Sequence, residues 1–342
     1  MKKIFSLVVL FACAMIANAQ SSMLATLNHE GTISTFYGAA ALREAHAAAA
    51  HGDVITLSSG SFTSVDITKA ITLRGAGMEI DTVAKIDPTV ISGDFSIQIA
   101  DSISQRLTIE GVYNNHAIKY KGTLKNVMFL KSRFKDFVGD NNASMKNASL
   151  IHCKIANCID LNANSSASCI NCAIEDPLSK DGTTANFEFQ NCVIKFENVY
   201  VSTVNSSTLK SCIVYNSNDT SYGRGCFNTS CMAYNCLGLS NYKVGMFANI
   251  PNSTNTYIDD IKTVFRTYTG QSLQKLDSEN FELTDEAKSK YLGTDGTQVG
   301  IYGGSLPFTS TPSNPQITKC NVAAKSTADG KLSVDIEVKA AE

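Results

Sequence analysis

Apolar positions through the middle of this chain fall into a short phrase that repeats. A cysteine is followed two residues later by a small or branched apolar side chain, in Cys153-Lys-Ile155, Cys172-Ala-Ile174, Cys192-Val-Ile194, Cys212-Ile-Val214 and Cys231-Met-Ala233. Residues two apart on a strand share a face, so each cysteine and its partner point into one interior. Three residues before the cysteine a second, mostly apolar position recurs: Leu150, Cys169, Phe189, Leu209 and then Asn228. A flat strand would put that position on the opposite face, so the chain must bend between the two. The residue just before the cysteine is His152, Asn171, Asn191, Ser211 or Ser230, mostly types that tolerate a left-handed backbone or bond their own backbone at a turn. The cysteines are separated by 19, 20, 20 and 19 residues. A fixed period of that size predicts a solenoid, whose units bury their cores only by stacking, and strands joined by single bent residues predict a parallel β-helix. A leucine-rich repeat would need a Leu-x-x-Leu-x-Leu phrase and helical stretches, which are absent.

The bend is predicted upstream at Gly75, Gly93, Gly111 and Asn126, with steps of 18, 18 and 15, then 26 to His152. The long step implies a loop around Asp136 to Lys146. About nine coils at roughly 4.8 Å each would build a rod on the order of 40 Å long.

Outside the repeat the pattern divides the chain. Lys2 and Lys3 precede an apolar run from Ile4 to Ile16 and then Ala17-Asn18-Ala19, the form of a cleaved export signal over residues 1–19; the run is too short to span a bilayer. Export to the periplasm, cell surface or medium is therefore expected, with lipid attachment through Cys13 left open. Residues 20–52 hold a first strand and an alanine-dense helix, Ala39 to Ala50, ended by His51-Gly52, which would cap the solenoid. The coils occupy residues 53–254. Residues 255–304 leave the period and contain a short helix near Thr284 to Gly293. Residues 305–342 are a Ser/Thr/Pro linker, Ser305 to Pro315, and a hairpin whose last strand alternates Leu332, Val334, Ile336 and Val338 with Ser333, Asp335, Glu337 and Lys339.

Composition narrows the partners. With 29 Lys and Arg against 31 Asp and Glu, removal of Lys2 and Lys3 takes the formal charge from −2 to −4. No basic cluster exists, so nucleic acid is not an expected partner, and no second apolar span follows the signal. Ten of the 11 cysteines remain after the signal, in a compartment that permits disulfides. In-register neighbours on parallel strands keep their Cβ atoms near 5 Å, beyond the roughly 3.5–4.5 Å of a disulfide, so the ladder is read as buried reduced thiols. A bridge among Cys158, Cys169, Cys226, Cys236 and Cys320 stays open. Cys169-Ile-Asn-Cys172 has zinc spacing, but no second ligand pair accompanies it, and no metal is expected.

Gly52-Asp53, Gly60-Ser-Phe62 and Gly75-Ala-Gly77, placed after the alanine-rich helix, resemble the opening segment of the pectin-lyase-like β-helix superfamily. Gly293-Thr-Asp-Gly-Thr-Gln-Val-Gly-Ile-Tyr-Gly-Gly304 resembles the closing phrase of secreted bacterial β-helix proteins. The resemblance implies an all-β, right-handed, single-stranded parallel β-helix with an N-terminal capping helix and a C-terminal cap and hairpin. It implies no particular chemistry, because enzymes and non-enzymes share it.

Lyases on this fold pair acidic calcium ligands with a basic residue. The nearest set here is Glu175, Glu197 and Asp219 with Arg224, but the acids drift two positions per coil against the cysteines, and calcium needs six or more oxygens. No Gly-His-Gly phrase of the polygalacturonase type is present, and His152 reads as a bend residue. Calcium belongs to the lyase alternative alone; otherwise no cofactor is expected. For sugar binding the candidates are Tyr215 and Tyr234, 19 apart and expected to stack on an outer face, with Tyr222 nearby. Val193, Ile213 and Met232 should point outward in an apolar stripe that the Asn255–Leu292 segment or a second subunit covers; the hairpin offers another route to an oligomer. The reading is an exported, non-catalytic polysaccharide-binding or surface-interaction protein. A lyase or hydrolase and a purely structural surface component are the alternatives.

Overall fold

Single residues in the left-handed region turn this chain without a loop. Lys131, His152, Asn171, Asn191, Ser211 and Asn235 have φ between 47° and 56°. Each stands between a strand of one parallel sheet and a strand of the next. The structure, a computed structural model, describes residues 23–82, 86–179, 185–196, 204–216, 227, 229–239, 247, 250, 257–259, 263–267, 280–313, 315–323, 325–327 and 329–339.

The first sheet stacks nine parallel strands from Val54–Leu57 to Met232–Tyr234, and the antiparallel pair Leu24–His29 and Thr32–Tyr37 extends it at the Val54 end. The second runs from Gly60–Thr63 through Arg133–Gly139, Lys154–Leu161, Ala173–Glu175, Val193–Phe196, Ile213–Asn216 and Leu237–Leu239 to Tyr257–Asp259. A short third face pairs Thr123–Lys125 with Ser144–Lys146, and Asn126 and Asn147 bend it into the first sheet. The result is a parallel β-solenoid of about eight turns, 48% strand and 6% helix, which makes the protein nearly all β. Among the described residues no helix is long and apolar enough to cross a membrane.

The core is a set of columns, because in-register stacking puts like positions above one another. Phe129, Leu150, Cys169, Phe189, Leu209 and Ala233 form one column on the first sheet. Ile155, Ile174, Ile194, Val214 and Gly238 form its counterpart on the second. Ala233 is therefore in the position predicted for residue 228, and the register differs from the even cysteine spacing by one phrase. Leu237 pairs with Ile213 and Asn235 makes the bend, so Cys236 rather than Cys231 stands over Cys212. The coil after Ser211 is longer than its neighbours, and Cys231, five residues earlier, mimics the period by accident of spacing.

The corner column thus reads Cys153, Cys172, Cys192, Cys212 and Cys236, all buried free thiols. Ser132 precedes them as a member that the sequence pattern did not reveal. Its hydroxyl donates to the Leu130 carbonyl two residues back (2.9 Å), as each thiol donates to Ile151, Ile170, Gln190, Lys210 or Tyr234 (3.3–3.4 Å). A small side chain with one donor fits a corner that offers a carbonyl lone pair from inside.

The upstream bends resolve likewise. Gly75 and Gly111 share the corner of Lys131, since Leu73 pairs with Ile109 and Ile109 with Phe129. Gly93 and Asn126 turn other corners of the coil, which explains the uneven steps. The loop expected from Asp136 to Lys146 reduces to a short turn at residues 140–143 between the strands Arg133–Gly139 and Ser144–Lys146, the first of which shifts register between Phe134 and Asp136.

At the N-terminal end the helix is shorter than predicted, Ala41–Ala48, and lays Ala41, Leu42 and Ala45 into the core. It stops before Gly52 because Ala49 is extended and the Asp53 carboxylate takes the Ala50 N–H (2.7 Å). The second short helix, Asp285–Lys290, has Thr284 as its N-cap, with Asp285 and Glu286 in the first turn. Gln316–Val322 and Val334–Lys339 pair antiparallel as the predicted hairpin, with Leu332, Val334, Ile336 and Val338 exposed.

Candidate functional site

The outer faces of the solenoid are unequal, and that decides where a ligand could bind. On the second sheet, outward positions of the later coils are apolar and covered. Ala173, Val193, Ile213, Tyr215, Leu237 and Leu239 pack against Val264, Phe265, Phe281, Leu283, Tyr291 and Ile301 of the closing segment. The predicted stripe at Val193 and Ile213 is thus covered from within the chain. Met232 is not part of it, being 38% exposed on the first sheet, and Leu237 takes its place.

Two predicted site residues fall on this covered face. Glu175, Lys195 and Tyr215 are in-register neighbours. Glu175 is 5% exposed and forms an ion pair of 2.7 Å with Lys195, which is fully buried. Tyr215 is also fully buried, edge-on to Phe265 at 6.3 Å. Tyr215 and Tyr234 therefore do not stack: they stand on different sheets, because the residue above Tyr215 is Leu239. Glu197, Asp219, Tyr222 and Arg224 lie outside the described residues.

The bend column is covered as well, by a strap formed from residues 292–313. Asn235 donates to the Leu292 carbonyl (3.2 Å), and the Ser211 hydroxyl accepts the Thr294 N–H (2.9 Å). Asn171 donates to both Ile301 and Gly303 carbonyls (2.7 and 2.8 Å). His152 Nε2 meets the Leu306 carbonyl at 3.0 Å, Lys154 lies over the Phe308 ring, and Glu110 accepts the Ser313 N–H. The order of partners descends the solenoid as the strap ascends in sequence. The linker read at Ser305 to Pro315 is thereby docked through Leu306, Phe308 and Ser313, and the asparagines that make the bends hold the strap before it. Burial outweighs the Leu306 hydrogen bond and holds the His152 imidazole below its ordinary value.

What remains open is the outer face of the first sheet over its last coils. Ser168, Glu188, Thr208 and Met232 form one outward column, and Gln190, Lys210 and Tyr234 the next. Together they line a groove of about 420 Å³. Columns two residues apart are about 6.6 Å from each other and coils about 4.8 Å, so the face presents a regular grid of donors and acceptors. Neither Glu188 nor Lys210 has an ion-pair partner among the described residues. Tyr234 is half-buried, its hydroxyl on the Met232 sulfur at 3.3 Å, and gives the groove an aromatic edge. Of the predicted binding residues that are described, Tyr215 and Tyr234, only Tyr234 reaches this face. The other residues of the groove could have been found by counting outward from the buried column at Phe189 and Leu209, since alternate residues on a strand face outward.

A second depression of about 520 Å³ at another corner is lined by Asn141, Asn142, Ala143, Ser144, Asn162, Ala163 and Asn164 and has no aromatic platform. Among the described residues no three His, Cys, Asp or Glu side chains converge as a metal centre would require. No protein-family model matches the chain, and no curated protein or solved structure matches it either.

Proposed function

We propose that the protein is an exported β-helix of the pectin-lyase-like type that binds polysaccharide, without cleaving it, in the first-sheet groove. The observation that carries this reading is the groove itself, where the Tyr234 ring adjoins polar side chains on adjacent coils. A tyrosine face stacks on a sugar ring while its rim bonds hydroxyls, and a grid of hydroxyl, amide, carboxylate and ammonium groups suits a chain of pyranose units. Export rests on the Lys2-Lys3 start, the apolar run and Ala17-Asn-Ala19. The seclusion of Glu175 in a buried ion pair favours binding over elimination chemistry at that column.

A polysaccharide panel tests the reading, with absorbance near 235 nm followed for unsaturated products in calcium and in chelator. Retention of at least one polysaccharide without product is expected, weakened about tenfold by Tyr234→Ala, a loss of about 1.4 kcal/mol. Unaltered binding in Tyr234→Ala/Lys210→Ala moves the site elsewhere, and turnover abolished by chelator replaces binding with a lyase.

A further inference from the structure

The first strand pair leaves one edge of the solenoid open. Thr32–Tyr37 is the last strand of the first sheet, joined to Leu24–His29 by the turn Glu30-Gly31, both residues at positive φ. Among the described residues nothing pairs with its other side. Edge strands are ordinarily blunted by a charged side chain, a proline, a bulge or a covering segment. Thr-Ile-Ser-Thr-Phe-Tyr carries no charge and no proline, and its register with Leu24–His29 runs without a shift. Ile33 and Tyr37 stand 66% and 64% exposed, whereas Phe36 packs against the core.

The hydrogen bonds of this strand decide which partner fits. The Gly38 N–H donates to the Met23 carbonyl at 2.7 Å, and bonded pairs alternate along an antiparallel ladder. Phe36, Ser34 and Thr32 therefore bond to the neighbouring strand, while Ile33, Thr35 and Tyr37 turn their N–H and C=O groups to the open edge. The same three residues share the outer face. A second copy of the strand, turned about a two-fold axis through Thr35, matches that edge residue for residue. Ile33 falls opposite Tyr37 of the other copy and Thr35 opposite Thr35, each pair exchanging both of its backbone bonds. Shifting the pairing by two residues takes Ile33 or Tyr37 off the end of the strand. Shifting it by one sets outer side chains against inner ones. Isoleucine opposite tyrosine is a favourable cross-strand pair, and no like charges meet. Glu30 of the second copy comes level with Ala40, the N-cap of the helix Ala41–Ala48, where no side chain caps the first turn; the helix dipole favours a carboxylate there. We propose that two copies of the protein join end to end through Thr32–Tyr37, in an isologous dimer whose first sheets run on into one another. The groove lies over the last coils of that sheet, so the dimer carries its two grooves at opposite ends.

Sedimentation velocity of the chain from Gln20 onward, over a range of concentrations, tests the proposal. A two-chain mass is expected, with hydrogen exchange across Thr32–Tyr37 slowing as concentration rises. Thr35→Lys sets two ammonium groups face to face at the axis and should give a one-chain mass, as should Thr35→Glu. Mixing these two variants should restore the two-chain species. Thr35→Pro should also give a one-chain mass, because it removes an outward N–H at a position where an edge strand tolerates proline. A one-chain mass for the unaltered chain at every concentration would overturn the proposal, as would a mixture no heavier than its components. A dimer that survives Thr35→Lys would overturn it by placing the interface elsewhere, as at the exposed Val334, Ile336 and Val338. Species that grow beyond two chains would replace the closed dimer with open-ended pairing. Slow exchange across Thr32–Tyr37 at every dilution would mean that the chain's own residues before Met23 cover the edge. The exchange measurement uses the unaltered chain and decides the matter even if a variant fails to fold.

Discussion

Leu237 lies in register beside Ile213 on the second sheet, and both side chains are buried under the closing segment. Met232, five residues earlier, is on the first sheet and 38% exposed. The two residues should therefore respond oppositely to truncation. Leu237→Ala removes packing on both sides of an interface and is expected to cost about 2–5 kcal/mol, whereas Met232→Ala should stay within about 0.5 kcal/mol. Urea denaturation followed by circular dichroism measures both. The reverse order would mean that Cys231, not Cys236, belongs in the corner column.

Lys195 and Glu175 make a second contrast. Lys195→Met leaves the Glu175 carboxylate buried without the Lys195 ammonium, and breaking one side of such a pair typically costs about 3–5 kcal/mol. Adding Glu175→Gln removes the stranded charge, so the double variant should recover much of the loss. A double-mutant cycle in denaturant measures the coupling; a double variant no more stable than Lys195→Met alone would show that Lys195 is held by other contacts.

The solenoid was legible because its signal is local and repeated. Ile155, Ile174, Ile194 and Val214 recur at one position, and His152, Asn171, Asn191 and Ser211 bend as their types suggest. Lys131 was not legible: it bends with φ 47° although lysine carries no turn preference, and the third-face bend at Asn126 took its place in the count. The candidate groove was only partly legible. Tyr234 was found, but pairing it with Tyr215 needed a register that a longer coil had shifted. Which outer face stays open was illegible for a different reason: the cover comes from Val264, Phe265, Phe281, Leu283, Tyr291 and the strap over residues 292–313, whose docking depends on contacts far apart in sequence.

That docking can be loosened at one bend. Asn171 supplies two hydrogen bonds to strap carbonyls, and at Gly303 an added Cβ would lie 1.8 Å from the Gln298 carbonyl oxygen and 2.6 Å from Asn191 Nδ2. Asn171→Ala strands buried acceptors at about 1–3 kcal/mol, and Gly303→Ala cannot be accommodated without moving the strap. Both should raise hydrogen exchange and protease cleavage across residues 301–313 while exchange in the strands around Phe134 and Ile155 stays slow. Uniform acceleration across the molecule would mean that the strap and the coils unfold as one unit.

Acid should weaken the N-terminal end through His46. Burial, with Lys69 adding to it, lowers this imidazole from 6.5 to about 4, and its Nε2 accepts the Thr68 N–H at 3.3 Å. The unfolded chain then binds a proton that the folded chain refuses, so the contribution is favourable above pH 6.5 and is lost as pH falls from about 6.5 to 4. His29 has the opposite sign: its hydrogen bond to Asp53 raises its pKa, so what it contributes is present below pH 6.5 and fades as pH rises through the folded value. His152 is lowered like His46, but neither it nor His29 changes in a His46→Gln variant, so a comparison of the two proteins isolates His46. Glutamine keeps an acceptor for Thr68 and cannot titrate. Calorimetric Tm measured from pH 7 to pH 4 should therefore fall more steeply for the unaltered chain than for His46→Gln, the two curves converging or crossing toward pH 4. Parallel curves would show that His46 takes up its proton without leaving the fold.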